Sequence, residues 1–482
     1  MRRLAQLAAA TPTGRERYVD LLRALAIVVV VLGHWAVAAV SEDAAGRPSA
    51  RSALPDLPWA YPLTWAAQVM PVFFVVGGYA NAASLTAHRV RGGDATGWLL
   101  GRSARLLRPT TALLLVLVGA ALVARLAGVA DPLIRTVAWF ATIPLWFLAA
   151  YLLVVPLTPV MWALHRRFGL VVPLVLAGLV AAGDLGRALG PAELAIPNYL
   201  FGWLAVHQLG LAWFDTRSED REAATGKQSV RRGRRLPVSR RAGWTTLLAG
   251  LAATLLLTAG PYPVSMLNIP GERLDNAAPP SLALLTLTTA QLGLILLLRD
   301  RAERWLRRPR PWQLVIAVNA VVLTVFLWHL TAAILLVGAL DAVHLLPTAP
   351  VGSAAWLAWR LPWVLMLAVV LTGLVAVFGR IEARGGRQRG RTAEHRSDRG
   401  RFRPTVRSLL TAAGFVAVVY GLVVNSAAPK EAPEPLGVPV PALVAYLAGA
   451  AVLRLLRRGW GSPVTRAAAS GRGRDAGAAP RR

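Results

Sequence analysis

The chain has 482 residues, of which 55% are hydrophobic and 16% charged, and its formal net charge is +29. An average soluble protein has about 25% charged residues, so this chain lacks the polar surface that two to four soluble domains would need. It has no cysteine, which excludes disulfide frameworks, thiolate metal sites and cysteine nucleophiles. Lys227 and Lys430 are the two lysines among its basic residues. That bias, with abundant Ala, Gly and Pro, points to a GC-rich bacterial genome.

Apolar runs long enough to cross a hydrocarbon core of roughly 30 Å recur along the whole chain. Twelve are read, at 19–40, 62–86, 110–130, 144–163, 168–183, 193–214, 243–260, 281–298, 312–338, 355–378, 408–427 and 436–456. The fifth is short, and 133–143 is either interfacial or part of the fourth. Strand-like alternation is absent. Backbone groups in lipid must be satisfied internally, so these runs are expected to be helices. With the N-terminus in the cytoplasm and strict alternation, more than forty of the 53 basic residues fall on the cytoplasmic side and six in outer loops. Arg23, Arg125 and Arg360 lie within spans. This asymmetry follows the positive-inside rule and accounts for most of the charge without nucleic acid. The predicted fold class is an all-α integral membrane protein of about 12 transmembrane helices, multi-pass in the cell membrane, with both termini cytoplasmic.

The run at 19–40 exceeds the 7–15 residues or so of a signal-peptide core and is read as the first retained helix. Three basic cytoplasmic stretches read as solvated loops that attract anionic headgroups. They are 215–242, which contains Arg231-Arg232-Gly233-Arg234-Arg235, the Gly/Arg-rich 383–403, and the tail from 461.

Ionisable groups inside a membrane are costly, and each is a functional candidate. His34 sits in the first run and Arg23 lies eleven residues earlier. Eleven helical residues make three turns plus about 20°, so the two share one face, roughly 16 Å apart along the axis. With Arg23 snorkelling to the cytoplasmic headgroups, His34 falls near mid-membrane, at the floor of a pocket with a cation at its mouth. Each residue also has a plain structural reading, as an interface anchor and as a hydrogen-bonding histidine. Asp20, one turn before Arg23, is placed to orient or neutralise it, and a plain surface ion pair fits the spacing equally well. His329 and His207 fall within later spans, and either serves equally well as a structural hydrogen-bonder. No histidine pair has i, i+4 spacing with a carboxylate nearby, so no metal site is expected. No Asp or Glu lies in the middle of a span, which counts against a proton-coupled carrier.

Arg102 and Arg105, in the loop before the third run, are three apart and share a face if helical. Guanidinium pairs hold phosphates well, although positive-inside anchoring also explains them. The most polar outer loop runs from Pro261 to Asn268, with Arg273, Asp275 and Asn276 after it. It is a candidate for contact with an acceptor, or an ordinary Pro-rich turn.

Five segments together resemble the membrane acyltransferase-3 family, which includes bacterial O-acetyltransferases of polysaccharides. The stretch Arg17-Tyr18-Val19-Asp20-Leu21-Leu22-Arg23, running on to Gly33-His34, is similar to the family's first helix, with its Arg, ten residues and His. Phe73-Phe74-Val75-Val76-Gly77-Gly78-Tyr79 is similar to Phe-Phe-x-x-Ser-Gly-Phe/Tyr, with Gly77 where Ser is usual. Arg102-x-x-Arg105, Trp146-Phe147-Leu148 and Phe326-Leu327-Trp328-His329 resemble three further elements, in the family's order.

The resemblance covers about residues 15–380. It implies a ten-helix core that transfers an acyl group, often acetyl from acetyl-CoA, to a hydroxyl of a glycan, lipid or small molecule. It implies His34 as catalytic base, or as transient acyl carrier; both roles need the neutral imidazole that low-dielectric surroundings favour. Arg23, Arg102 and Arg105 would hold the donor's phosphates, and His329 would line the substrate pocket. No permanently bound cofactor is expected, and acyl-CoA is the donor substrate. The chain then divides into a cytoplasmic tail (1–14), the acyltransferase-like domain (15–380), a basic linker (381–407), an additional helix pair (408–456) and a basic tail (457–482). A twelve-helix secondary carrier and a non-catalytic membrane scaffold, which would leave the Arg23, His34, Arg102 and Arg105 arrangement unexplained, are the competing readings. Such a carrier should show internal repeats, and no second copy of the Arg23–His34 pattern follows the sixth run.

Overall fold

The apolar runs fold as helices, and the computed structural model describes residues 2–12, 14–42, 48–224, 235–347, 349–387 and 404–460. In chain order the helices are α1 (Arg2–Ala9), α2 (Arg17–Val37), α3 (Thr64–Ala67), α4 (Met70–Val90), α5 (Ala95–Leu126), α6 (Asp131–Thr142), α7 (Leu145–Val154), α8 (Thr158–Phe168) and α9 (Val171–Leu189). They continue with α10 (Asn198–Ala224), α11 (Arg240–Thr258), α12 (Leu282–Leu306), α13 (Pro309–Ala320), α14 (Val322–Ala342), α15 (Ala354–Arg387), α16 (Pro404–Ala427) and α17 (Val440–Arg457). Among the described residues ten segments are long and apolar enough to cross a membrane: 17–37, 58–90, 95–126, 145–168, 171–189, 282–306, 322–342, 354–382, 404–427 and 440–457. The chain is therefore read as a multi-pass membrane protein. The sixth and seventh expected runs, α10 and α11, are long helices outside that set. His207 and Gln208 lie within α10, and α11 opens on Arg240-Arg241.

Three boundaries differ from the sequence reading. The first run stops as helix at Val37, and Ala38–Glu42 pairs as β1 with β2 (Pro48–Ser52) in an antiparallel ribbon. Ala38 is already extended, and its carbonyl accepts from the Arg360 guanidinium at 2.8 Å, so a side chain takes over where the helix ladder ends. The ninth run is not one helix, because it breaks at Val321 between α13 and α14. The expected loop at 215–242 begins as helix, since α10 continues to Ala224; residues 225–234, most of 383–403 and the tail from 461 lie outside the described residues.

We call the end of the bundle where α2 starts the near end, and the opposite end the far end. At the near end, Glu16 grips the Arg299 guanidinium at 2.7 and 2.9 Å. Glu303 accepts from the Tyr18 backbone N–H at 2.7 Å, and Arg17 donates to the Leu306 carbonyl at 2.7 Å. The start of α2 is thereby tied to the end of α12 by charge-assisted bonds that also satisfy helix-terminal groups. At the far end, the loop from Pro261 to Pro280 closes over the segment that leads into α4. Thr64 Oγ1 accepts from the Met266 N–H at 2.8 Å, and the Gln68 amide donates to the Met266 carbonyl at 2.7 Å. Asp184 of α9 holds the loop at both ends, accepting from the Tyr262 hydroxyl at 2.9 Å and the Leu282 N–H at 2.7 Å.

The last helix pair, α16–α17, packs on the body of the bundle. Tyr446 OH bonds Thr111 Oγ1 at 3.0 Å, and Thr96 bonds Ser408 at 2.8 Å. Arg135 of α6 is buried and donates to the carbonyls of Ala428, Pro429 and Gly437 at 3.0, 2.7 and 2.9 Å. Burial pulls its guanidinium below the usual arginine range, partly offset by Glu434 and Glu431.

Candidate active site

His34 stands in the last turn of α2, and α14 places His329 two turns after its start. His34 Nδ1 and His329 Nε2 are 2.7 Å apart. The ring centres are 5.0 Å apart with planes 13° from parallel. That separation is about one hydrogen bond plus a ring radius on each side, so the imidazoles meet edge to edge. His329 is fully buried, whereas His34 is half-buried and keeps an accessible face. Their helices are pinned at this level by the Trp35 indole, which donates to the His329 carbonyl at 3.0 Å.

The hydrogen-bond directions fix the tautomers. His329 Nδ1 lies 2.6 Å from the Phe326 carbonyl oxygen, which only accepts, so Nδ1 carries the proton. Neutral His329 then presents an unprotonated Nε2. His34 must donate to it from Nδ1, so a neutral His34 carries its lone pair on Nε2, which has no hydrogen-bond partner among the described residues. A chain from a backbone carbonyl through His329 thus orients one basic nitrogen on His34.

The break before α14 contributes to this placement. Glu382 of α15 accepts from the N–H groups of Leu323 and Thr324 at 3.2 and 2.8 Å and from Thr324 Oγ1 at 2.7 Å. A carboxylate at a helix N-terminus satisfies orphan donors and complements the dipole. Glu382 therefore starts the helix that carries His329.

The aromatic motifs of α4 and α7 connect to the pair through Phe326, whose ring centre lies 5.9 Å from that of His329. Phe326 packs edge-on against Phe147 of α7, their ring centres 5.2 Å apart, and Phe147 meets Phe73 and Phe74 of α4 at 4.7 and 5.7 Å. Gly77 faces Tyr151, and a Cβ at Gly77 would lie 2.8 Å from its ring. The tyrosine fills the space that a larger residue at 77 would take.

The arginines have other partners. Arg23 pairs with Asp20 at 3.0 Å, and Asp20 also takes Arg15 at 2.7 Å. Asp20 thus pairs with the arginine one turn on, and the Asn319 amide donates to its backbone carbonyl at 2.9 Å. Arg102 and Arg105 are not in a loop, because α5 begins at Ala95, fifteen residues before the apolar run itself. They stand about one turn apart on that helix. Arg105 is exposed and acts electrostatically on Glu382. Arg102 donates to Asn81 Oδ1 inside the bundle. His329, expected to line the pocket, has both ring nitrogens engaged within the protein and meets His34 directly.

Sequence reasoning passed over Asn81 and Glu382. Asn81 is a polar side chain inside an apolar run, and that alone marks it as a candidate. Glu382 lies past the end of the tenth expected span, and no local pattern links it to His329. In the far-end loop, Asn276 donates to the carbonyls of Pro263 and Ser265 at 2.8 and 2.9 Å, and Arg273 to the Arg187 carbonyl at 3.3 Å. These polar groups hold the loop's own shape. Among the described residues no group of three or more His, Cys, Asp or Glu is placed to hold a metal ion.

No curated protein and no solved structure matches the chain. The model of the acyltransferase-3 family, described as an acyltransferase domain, matches residues 16–379. This match begins at the residue that ties α2 to α12 and runs into the last turns of α15, about three quarters of the chain. The protein therefore belongs to the acyltransferase-3 family and is a membrane acyltransferase.

Proposed function

We propose that the protein transfers an acyl group, acetyl first among the candidates, from acyl-CoA to a hydroxyl of a cell-envelope glycan, a lipid or a small molecule. The observation that carries this reading is the chain from the Phe326 carbonyl through His329 to His34. It leaves His34 Nε2 as an oriented base at a half-buried position. In the reaction, His34 Nε2 takes the proton of the acceptor hydroxyl as its oxygen attacks the thioester carbonyl. The C–S bond then breaks, and the departing thiolate receives the proton from His34. During that interval the His34 imidazolium is stabilised by the lone pair of His329 Nε2, a bond that strengthens when the donor is charged. His329 is thus a positioning residue.

Arg23, Arg102 and Arg105 hold the phosphates of the donor in this reading. With both termini in the cytoplasm and α10 and α11 counted as spans, the helices number twelve. The arginines then face the compartment that supplies acyl-CoA. Asp20 keeps Arg23 directed along its helix. Purified protein in detergent should bind acetyl-CoA and release CoA thiol, and His34→Ala should lose the release while keeping the binding. A fully active His34→Ala protein would sink this mechanism.

A further inference from the structure

Deep in the bundle, Arg102 of α5, Asn81 of α4 and His207 of α10 form a continuous polar chain. The guanidinium donates to Asn81 Oδ1, and the Asn81 amide lies 3.0 Å from His207 Nε2. Arginine only donates, so Oδ1 must face Arg102 and the amide nitrogen must donate to His207. His207 Nε2 is then the acceptor, and the proton sits on Nδ1. Asn81 and His207 are both fully buried, and His207 Nδ1 has no hydrogen-bond partner among the described residues. A buried donor without a partner is destabilising. An apolar side chain would fill that space at less cost, so the contact to Asn81 is what this imidazole supplies.

The helices are packed to permit the contact. A Cβ on Gly78 would fall 2.1 Å from the His207 carbonyl oxygen, and a Cβ on Gly210 would fall 2.0 Å from that of Val75. The α4 and α10 backbones therefore touch, as small residues allow between membrane helices, and their polar side chains meet one turn away.

We propose that Asn81 and His207 are positioning residues for Arg102, holding its guanidinium turned into the bundle where it takes a phosphate of the acyl donor. This rests on the reading of Arg102 as a donor anchor. The choice of an amide has a chemical reason. An amide oxygen orients a guanidinium without itself neutralising it. A carboxylate at the same place would orient it equally well and neutralise it.

The test measures CoA binding by the full chain in detergent, with melting temperature as the check on folding. The variants are Arg102→Ala, Asn81→Asp, His207→Leu, His207→Gln and the double variant Arg102→Ala/His207→Leu. Arg102→Ala should weaken CoA binding about tenfold or more. Asn81→Asp, nearly isosteric and still bonded to Arg102, should weaken it to a similar degree with no fall in melting temperature. His207→Leu should weaken it, His207→Gln should restore it through an amide oxygen facing Asn81, and the double variant should bind no worse than Arg102→Ala alone. Unchanged binding in Arg102→Ala would overturn the donor-anchor reading and this proposal with it. Weakened binding in Arg102→Ala beside wild-type binding in both Asn81→Asp and His207→Leu would overturn this proposal alone. Additive losses in the double variant would do the same, since they would mean that His207 acts on packing at large. If His207→Leu fails to fold, Asn81→Asp decides.

Discussion

Replacing His329 by phenylalanine removes the acceptor of His34 Nδ1 and keeps an aromatic ring of similar girth beside Phe326. In the wild type that acceptor lies 2.7 Å from His34, and it faces an imidazolium whenever Nε2 has taken a proton. A hydrogen bond to a charged group contributes about 1.5–3 kcal/mol. At 1.36 kcal/mol per tenfold, losing it from the transition state lowers kcat by about 10- to 150-fold. Donor binding should stay within about twofold of wild type, because His329 makes its polar contacts inside the protein. The assay is release of CoA thiol from acetyl-CoA by the detergent-purified protein, with acetyl-CoA binding measured in parallel. The effect should vanish in a His34→Ala background, since the two imidazoles act as one unit. Wild-type kcat in His329→Phe would refute the reasoning. Weaker donor binding with kcat unchanged would refute it too, and would return His329 to the substrate pocket.

Three further outcomes are expected. Glu382→Gln keeps the size of the side chain but removes the charge that caps α14; it should lower the melting temperature, at a cost of about 1 kcal/mol, and reduce kcat with the shift of His329. Gly210→Ala puts a Cβ 2.0 Å from a backbone oxygen that cannot move aside, whereas Gly33→Ala meets nothing within 4 Å; size-exclusion chromatography should show the first aggregated and the second folded, with overpacking costs of about 1–3 kcal/mol or more. Asp275, in the far-end loop, has its carboxyl pushed above the ordinary 3.8 by burial, against the pull of the Ala277 and Ala278 N–H groups and Arg187. The folded state therefore binds the proton more tightly than the unfolded state, and stability falls as pH rises from 3.8 through the raised value. Asp275→Asn keeps the acceptor for both N–H groups, and its thermal melts should lose that decline and match or exceed wild type at pH 7.

Much of the architecture was legible in the sequence because lipid leaves the backbone few choices. An apolar run of membrane length must satisfy its own N–H and C=O groups, so runs such as 168–183 and 408–427 identify α9 and α16. The Arg23–His34 spacing is likewise a property of one helix, and the continuous α2 keeps it. Boundaries were less legible where a partner distant in sequence decides them. The break at Val321 exists because a carboxylate from position 382 takes N–H groups that an unbroken helix would have used itself. Arg102 and Arg105 looked like loop residues because their charge hides the helix that carries them below the apolar run.

The sequence by itself determined the membrane class, the helical content and the candidate residues His34, Arg23, Arg102, Arg105 and His329, since each follows from composition, period or local motif. Tertiary structure alone decided which of them meet. His34 and His329 are separated by nearly three hundred residues, and only the meeting of α2 with α14 makes them a hydrogen-bonded pair with a defined tautomer. Asn81, Glu382 and His207 gained a place beside the arginines and histidines in the same way. Hydrogen bonding between buried groups depends on tenths of an ångström across helices, and the one-dimensional pattern carries no record of those distances.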